Sequence, residues 1–261
     1  MQESEVRAAL RHVPLGGLRV FQEVGSTNDE ALAWAREAAP DHALVVADGQ
    51  TAGRGRAGRQ WYTPPGKALA FSLLMRPTIE EAAHASRLAG LGCLAVTDAL
   101  GALGLSATIK WPNDVLLGDN KVAGVLAESV WLGESLSAAV LGIGVNVLVG
   151  SVPSSGMRFP ATTVESELGM APDRLKLLTA CITALLSWRT ELVSDRLCKV
   201  WQERLAYVGD MVVLTTAQQE PQEARLVGLE SDGSLLLDTS QGPLQIRAGD
   251  IHLRRSDDRI E

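Results

Sequence analysis

The sequence predicts an α+β protein in two parts, a mixed domain of helices and strands over residues 1–206 and a small β-barrel over residues 207–261. Three observations lead to this prediction. The chain has 261 residues, 46% hydrophobic and 21% charged, which is enough for one large core with a small companion. Helical and strand-like segments alternate up to about residue 206. From Tyr207 onward only short β runs occur, separated by turn residues.

The first elements follow from capping, periodicity and glycine content. Thr27 and Glu30 have the spacing of a capping box, and apolar residues then recur at helical spacing, so we expect a helix over 27–39. Residues 43–47 form a short apolar run that is typical of a buried strand. Residues 48–66 are rich in glycine and end in two prolines, which predicts a long surface loop without regular structure.

The remaining segments before residue 206 are strands and two long helices. The strand-like runs are residues 69–75, 107–111, 122–130 and 138–147, and the helical stretches are residues 80–103 and 172–205. Residues 112–120 contain an Asn-Asp turn, and whether they also form a short strand stays open. After residue 206, short β runs over 208–216, 223–230, 233–240 and 243–254 predict a barrel of about 50 residues.

Charge and cysteine usage exclude several classes of protein. The net charge of −7 argues against broad affinity for nucleic acid, although a local phosphate site remains compatible with it. Cys93, Cys181 and Cys198 are odd in number and scattered, which argues against a disulfide framework or a structural zinc site. The N-terminus lacks the apolar core of a signal peptide, and the apolar run 88–96 is too short to span a bilayer. We therefore expect a cytoplasmic protein that does not enter a membrane.

The segment GRGRAGRQW, residues 53–61, allows several interpretations. Its glycines match G-x-G-x-x-G, but no helix is predicted after them, so the dinucleotide-binding interpretation fails. Arg59 and Gln60 stand where a phosphate-binding P-loop needs Lys-Ser/Thr. A nucleic-acid surface with Trp61 beside the arginines, a solvated basic loop, and a loop that brings guanidinium groups onto a small anion remain open at this point.

Two further motifs carry polar groups at strand ends. KWPND, residues 110–114, combines a lysine, an amide and a carboxylate, and Lys121 follows seven residues later. Such a group can hold Mg²⁺ and phosphate, although a hairpin turn with surface lysines explains the same pattern. In GIGVNV, residues 142–147, Asn146 interrupts an apolar strand and needs either a structural or a ligand partner. Residues 26–28, STN, would cap a helix and also present hydroxyls and an amide to a ligand.

Together these motifs resemble the biotin–protein ligase (biotin–[acetyl-CoA-carboxylase] ligase) family across essentially the whole chain. The resemblance rests on the following segments, in chain order: STN at 26–28, GQTAGRGRAGRQW at 49–61, PPGKALAFSLLMRP at 64–77, KWPND at 110–114, KVAGVLAES at 121–129, GIGVNV at 142–147 and GDIHLR at 249–254. It implies a mixed-sheet, class II synthetase-like biotin/lipoate ligase catalytic domain followed by an SH3-like β-barrel. It also implies that ATP activates biotin as biotinyl-5′-AMP, with Mg²⁺, before transfer to a lysine of a biotin carboxyl carrier protein.

The resemblance also assigns roles to individual residues. Biotin would contact Ser26, Thr27, Asn28, Gln50, Arg54, Gly55, Arg56, Lys121 and Gly124. ATP and the adenylate would contact Arg54, Arg56, Arg59, Trp61, Lys110, Asn113 and Asn146. Lys121, Arg56 and Lys110 are the expected catalytic residues, and Asp114 is the expected metal ligand.

Some family members carry an N-terminal helix-turn-helix domain. About twenty residues precede the predicted ligase core here, so we expect ligase activity without DNA binding, and homodimerisation stays open. Two alternatives compete with this prediction. A lipoate–protein ligase-like enzyme would perform the same adenylation on another acid, and a non-catalytic module would hold a nucleotide or RNA through the Arg/Trp loop without releasing pyrophosphate.

Overall fold

Two β-sheets organise the chain in the computed structural model, which describes residues 1–155, 159–215, 221–247 and 252–255. The strands of the larger sheet are β1 (Gly17–Val24), β2 (Ala43–Gln50), β3 (Ala68–Met75), β4 (Ala107–Lys110), β5 (Asp114–Leu117), β6 (Asn120–Leu132) and β7 (Ser135–Asn146). The helices are α1 (Glu3–Ala9), α2 (Thr27–Arg36), α3 (Ile79–Ala83), α4 (Leu88–Gly101), α5 (Val164–Leu168), α6 (Arg174–Arg189) and α7 (Asp195–Glu203).

The larger sheet has seven strands in the order β1-β2-β3-β7-β6-β5-β4. Only β1 and β2 pair in parallel, and every other neighbour is antiparallel. The two central strands β3 and β7 are almost wholly buried. This mixed sheet confirms the predicted α+β class of the first part of the chain.

Helices cover both faces of this sheet, and β2 shows how the sequence achieves it. Successive side chains of a strand point to opposite faces. Val45 accordingly packs with Ala31 of α2, whereas Leu44 and Val46 belong to the large core that also contains Leu91 of α4. Because both faces are covered, the strand is continuously apolar, as residues 43–47 indicated.

Helix α2 differs in detail from the sequence prediction. Its N-cap is Ser26, and Thr27 is already the first helical residue, so the predicted capping box at Thr27 is wrong. The Thr27 hydroxyl instead donates a hydrogen bond to the Gln50 side chain. The helix ends at Arg36 because Ala38 has a left-handed φ of 61°, and the Arg76 guanidinium donates to the carbonyl of Ala35 in the last turn.

The two long predicted helices are each broken. Residues 80–103 divide into α3 and α4 around a 3₁₀ turn that places the buried Arg87 guanidinium 3.0 Å from the backbone carbonyls of Leu192 and Ser194. Residues 172–205 divide into α6 and α7. Asp173 caps α6 with its side chain, so the helix begins at Arg174 and not at residue 172 as predicted. The local sequence signals that predicted these stretches did not reveal either break.

The second sheet is small and antiparallel. Its strands are β8 (Met211–Thr215), β9 (Gln222–Leu229), β10 (Leu235–Thr239), β11 (Gly242–Ile246) and β12 (His252–Arg255), in the order β11-β10-β9-β8-β12. The last predicted β run is thus two strands, and its residues 248–251 lie outside the described residues. In the part of the chain that the structure describes, no helix combines the length and apolar character needed to cross a membrane.

Candidate functional site

A cavity opens where β2 ends and α2 begins, above strands β6 and β7 and beside the turn between β4 and β5. Its empty volume is about 940 Å³, counting the open mouth. Its lining residues are Ser26, Thr27, Asn28, Gln50, Arg54, Gly55, Arg56, Arg59, Gln60, Trp61, Lys110, Trp111, Pro112, Asn113, Asp114, Lys121, Gly124, Val125, Leu126, Gly142, Ile143, Gly144 and Phe159.

The start of α2 is joined to two strands by buried side-chain hydrogen bonds. The backbone N–H and the hydroxyl of Thr27 donate to Gln50 Oε1 at 2.8 and 3.1 Å. Ser72 of β3 is fully buried, and its Oγ lies 2.8 Å from Thr27 Oγ1 and 2.6 Å from Asn28 Oδ1. A hydroxyl in an apolar strand requires such partners. The network fixes the hydroxyl and amide groups of α2 at one end of the cavity.

Glycines at alternate positions of β7 make the floor of the cavity. A Cβ on Gly142 would lie 1.9 Å from Asn28 Oδ1, and a Cβ on Gly144 would lie 2.2 Å from Trp61 Nε1. Gly124 of β6 pairs with Gly144 and also lies under the indole ring. A strand glycine permits the close approach of another group. The GIGVNV motif therefore makes room for one side chain from α2 and one from the glycine-rich segment.

The glycine-rich segment is more regular than the sequence suggested. Strand β2 continues to Gln50, and Arg54 and Gln60 form an isolated antiparallel bridge. A short 3₁₀ turn over Arg56–Gly58 reverses the chain, with left-handed φ values of 56° at Ala57 and 70° at Gly58. The prediction that no regular structure fits residues 48–66 is thus wrong in part. The segment is a tight hairpin that carries three arginines to the cavity.

Arg54 is held by carboxylates on two other elements. Its Nη1 and Nη2 donate to Glu128 Oε1 and Oε2 at 2.9 and 2.6 Å, and Nη2 also lies 2.7 Å from Asp29 Oδ1. Asn28 donates to the same Glu128 carboxylate at 2.7 Å. The hydrogen bonds that Arg54 donates to Glu128, together with the charges of both carboxylates, outweigh burial and raise the pKa of Arg54. The arginine is therefore a fixed cation at this end of the cavity.

Lys121 is the cation on the opposite wall. Its Nζ lies 2.5 Å from Asp114 Oδ1 and 5.3 Å from the centre of the Trp61 ring. Arg56 reaches the same wall, where its Nη1 donates to Asn113 Oδ1 at 3.4 Å. A bulge between β5 and β6 accompanies this juxtaposition of Asp114 and Lys121. Two cations, an amide and a carboxylate thus converge where KWPND meets the hairpin.

The turn that carries KWPND is anchored to the second sheet. Trp111 is 3% exposed, and its indole N–H donates to the carbonyl of Gly233 in the β9–β10 turn at 3.0 Å. Asn113 donates to the carbonyl of Val125 on β6 at 2.7 Å. The Nζ of Lys110 lies 4.4 Å from the centre of the Phe159 ring. These contacts hold the turn in place between the two sheets.

Charge concentrates in this cavity although the whole chain is acidic. The lining side chains include five cations, Arg54, Arg56, Arg59, Lys110 and Lys121, but only one carboxylate, that of Asp114. The chain as a whole carries a net charge of −7. Such a local excess attracts anions, and guanidinium groups bind carboxylate and phosphate oxygens with defined geometry. The cavity suits one or more anionic ligands.

No cysteine in this structure has the character of a nucleophile. Burial raises the pKa of the Cys93 thiol well above its usual range, and burial raises that of Cys181 to about 12. Cys198 is buried too, and burial is the main cause of its raised pKa. A thiolate is the reactive form of cysteine. The cysteines, none of which lines the cavity, therefore do not supply it with a nucleophile.

The structure brings together nearly every site residue predicted from the sequence. Asn146 is the exception, because it is absent from the lining. It is 6% exposed, and its Nδ2 donates to the carbonyl of Thr162 at 3.2 Å, with the carbonyl of Lys121 at 3.5 Å. This is the structural partner that the sequence analysis left open for it.

Sequence reasoning missed two polar side chains and a pair of glycines that organise the site. Ser72 interrupts the apolar strand ALAFSLLM, the same signal that singled out Asn146. Glu128 follows Gly124 and Leu126 at period two, so one face of β6 carries all three. Gly142 and Gly144 share a face of β7 in the same way. Strand alternation, applied to β3, β6 and β7, would have found them.

Comparisons with known proteins agree with this geometry. Residues 20–146 match the model of the biotin/lipoate A/B protein ligase family. The chain is 36% identical to the biotin–[acetyl-CoA-carboxylase] ligase of Paracoccus denitrificans, over 87% of this chain and 96% of the relative. It is 30% identical to the bifunctional ligase/repressor BirA of Bacillus spizizenii, over 97% of this chain and 79% of that protein.

A solved structure extends the likeness to three dimensions. The biotin protein ligase from Aquifex aeolicus in complex with biotin and ATP superposes with a TM-score of 0.80 at 30% identity, over 92% of this chain and 99% of that one. The chain therefore belongs to the biotin/lipoate A/B protein ligase family. The resemblance to biotin–protein ligases that the motifs indicated is confirmed.

Proposed function

We propose that this protein is an ATP-dependent biotin–protein ligase. Biotin and ATP form biotinyl-5′-AMP and pyrophosphate in the first half-reaction. A lysine of a biotin carboxyl carrier domain, as in acetyl-CoA carboxylase, then takes the biotinyl group and AMP leaves. The relatives named above support this choice of acid and acceptor.

The observation that carries the proposal is the excess of cations in the cavity. In the first half-reaction a carboxylate attacks the α-phosphate of a triphosphate, so two anions must approach each other. Fixed cations cancel that repulsion and stabilise the charge that develops in the transition state. The five cationic side chains around the cavity supply this charge in a protein that is otherwise acidic. The nucleophile is the substrate's own carboxylate, so no reactive cysteine is needed.

Lys121 has the central catalytic role in this proposal. Its position between Asp114 and the Trp61 ring puts its ammonium group over the cavity, where the carboxylate and the α-phosphate would meet. Arg56 and Lys110 complete the catalytic set by holding phosphate oxygens. Arg59 and Asn113 assist with ATP. Asp114 keeps Lys121 oriented until substrate arrives.

The opposite end of the cavity would hold biotin. Ser26, Thr27, Asn28 and Gln50 present hydroxyls and amides from the start of α2 and the end of β2, and Gly55 and Gly124 allow close approach. Two donors at the cavity, Arg54 Nε and Trp61 Nε1, are buried and have no hydrogen-bond partner among the described residues. A buried donor without a partner costs about 1–3 kcal/mol, which an acceptor oxygen on a ligand would recover. Biotin and its adenylate carry such oxygens.

The glycine-rich hairpin would act as a lid. An acyl-adenylate is readily hydrolysed, so water must be excluded until the acceptor lysine arrives. The hairpin rests on the glycine floor through Trp61 and can move at its glycines. Once the lid admits the carrier lysine, its neutral amine attacks the acyl carbon, the bond between that carbon and the phosphate oxygen breaks, and the nitrogen gives up a proton to solvent. AMP carries the negative charge away.

Magnesium fits the cavity as part of the nucleotide substrate. The described residues contain no cluster of three or more metal-ligating side chains. Mg²⁺ commonly keeps its waters and binds one or two carboxylates together with substrate phosphates. Asp114 is the carboxylate that lines the cavity, so we propose that it meets the magnesium that ATP brings. The ion would neutralise the departing pyrophosphate.

We also propose a division into a catalytic domain, residues 1–206, and an SH3-like barrel, residues 207–261. The all-antiparallel sheet of β8 to β12, which shares no strand with the larger sheet, supports this division. A cytoplasmic location fits the substrate ATP and the three buried, unbridged cysteines.

Biotin-dependent exchange of pyrophosphate into ATP tests the proposal, with the Lys121→Ala variant beside the wild type. We expect exchange that requires biotin and falls at least about 100-fold in the variant, because a cation at the reacting oxygens is lost. Lys67→Ala, which changes a lysine outside the cavity lining, is the matched control. Exchange with lipoate or octanoate but not with biotin would show that biotin is not the substrate. No exchange with any acid would rule out the proposed ligase activity.

A further inference from the structure

Glu128 is the feature of the site that no expected role accounts for. It lies on β6, two residues beyond Leu126 on the same face of the strand, and its side chain is 24% exposed. Three hydrogen bonds converge on its carboxylate, two from the terminal nitrogens of Arg54 and one from the amide of Asn28. The carboxylate thus joins the glycine-rich hairpin to the start of α2.

The geometry of this contact goes beyond that of an ordinary surface ion pair. Both terminal nitrogens of Arg54 engage both oxygens of Glu128, and this bidentate arrangement fixes the plane of the guanidinium group. Asp29 also touches Arg54, but it is 57% exposed and makes a single contact. Among these two carboxylates, Glu128 is the one that determines the orientation of the arginine.

The orientation leaves one donor of Arg54 available to a ligand. Its Nε is buried and has no hydrogen-bond partner, and the residue lines the cavity. Glu128 also binds the Asn28 amide nitrogen, while Asn28 Oδ1 faces Ser72. One carboxylate thereby fixes a donor on the hairpin and an amide on α2. Both belong to the end of the cavity where the proposed function puts biotin.

We propose that Glu128 is a positioning residue for biotin, which acts by holding Arg54 and Asn28 in their binding orientations. The inference rests on the proposed function, and it adds a residue that does not itself touch the substrate. Before biotin binds, Glu128 also ties the hairpin down through Arg54. A loop held in its binding conformation loses less entropy when the ligand arrives.

The first test measures steady-state constants for Glu128→Gln, with Glu134→Gln as the matched control. Glutamine keeps the size of the side chain but loses the charge and one acceptor oxygen, whereas Glu134 is exposed in the β6–β7 turn. We expect the KM for biotin to rise about tenfold or more, because charge-assisted hydrogen bonds are lost. The KM for ATP should change less than about threefold, and the control should match the wild type.

A double-mutant cycle separates positioning from a general structural effect. If Glu128 acts through Arg54 and Asn28, Glu128→Gln should raise the KM for biotin clearly less in the Arg54→Ala background than in the wild type, because only the Asn28 contact is left to lose. Independent, multiplicative effects of the two changes would overturn the inference. A KM for biotin that falls in Glu128→Gln would also overturn it, because Glu128 would then compete with biotin for Arg54.

Limited trypsin digestion of the ligand-free protein tests the inference without any measurement of enzymatic activity. Release of Arg54 should raise cleavage after Arg56 and Arg59 about three- to tenfold in Glu128→Gln. Unchanged cleavage would contradict the tie between Glu128 and the hairpin. If the wild type shows no biotin-dependent exchange, the proposed function fails. An active wild type with an equally active Glu128→Gln variant overturns only this inference.

Discussion

Two glycines with the same steric problem should have opposite consequences when replaced by alanine. A Cβ on Gly144 would lie 2.2 Å from the Trp61 indole, and a Cβ on Gly90 would lie 2.2 Å from the Trp201 indole. Ordinary van der Waals contact lies near 3.5 Å, so each ring would have to retreat by about 1.3 Å. What decides the outcome is whether the ring can move.

Trp201 cannot move without disturbing the core. It is 1% exposed and packs in the main hydrophobic cluster. Overpacking of this kind costs about 1–3 kcal/mol, which in a chain of this size lowers Tm by roughly 2–12 °C. Trp61 lies on the hairpin and can swing outward. Gly144→Ala should therefore lower Tm by less than about 2 °C while the indole leaves the cavity floor.

The functional cost of Gly144→Ala follows from the same range of energies. Closing the hairpin over substrate would bring the indole back against the new methyl group, and a cost of about 1–3 kcal/mol to that closed state should reduce biotin-dependent pyrophosphate exchange about 5- to 150-fold. Calorimetry and exchange are measured on Gly144→Ala, Gly90→Ala and the control Gly101→Ala, whose Cβ would meet no atom within 4 Å. The control should keep both its Tm and its activity.

Two results would refute this reasoning. Gly144→Ala has two conceivable modes of action, displacement of the indole and a direct clash with the ligand, and the Trp61→Ala background distinguishes them. If the methyl group acts through the indole, Gly144→Ala should add less than about twofold to the loss in Trp61→Ala. A multiplicative loss would refute the role of the ring. So would a Gly144→Ala protein as destabilised as Gly90→Ala.

Two further predictions concern stability. Burial raises the pKa of Asp41, but hydrogen bonds and charge from Arg189 outweigh it and leave that pKa below its ordinary value. A carboxyl group whose pKa is lowered by folding stabilises the protein at pH values above its unfolded pKa, near 4. That stability is lost as the pH falls through the folded pKa. Arg189→Gln should therefore lower the free energy of unfolding, measured by urea titration, more at pH 7 than at pH 3. Equal decreases at the two pH values would contradict the stabilising role of the Arg189–Asp41 pair. Trp111→Phe leaves the Gly233 carbonyl without its donor and should cost about 1–3 kcal/mol in urea unfolding, whereas the exposed Trp131→Phe should cost less than about 0.5 kcal/mol. Equal costs would show that the indole hydrogen bond is not the cause.

The sequence predicted those elements whose signals are local. Residues 43–47 and 69–75 were recognisable because strands covered on both faces are continuously apolar. The first strand, β1, was missed because it lies at the edge of the sheet and has no fully buried residue. Its place comes from parallel pairing with β2, which a local pattern does not encode.

The site was predictable to the extent that its residues stand together in motifs. Arg54, Arg56 and Lys121 were found because they occur in strings that a family shares. Ser72 and Glu128 act through partners more than forty residues away in the chain. Their roles depend on the order of strands in the sheet, which sets β3 and β6 on either side of β7. Such a role is readable only from the folded structure.

The pairing of cations with carboxylates explains how an acidic protein maintains a cationic cavity. Arg54 is fixed by Glu128, and Lys121 lies against Asp114. An unpaired, flexible side chain would lose rotamer entropy when it closes on a substrate, about 1.5–2 kcal/mol for lysine or arginine. The carboxylates order these two side chains before substrate binds, so the charge is in place when two anions must meet. The same carboxylates weaken non-specific anion binding, because a stray anion must compete with a fixed partner. Preorganised charge of this kind favours the transition state over any single anion that enters the cavity.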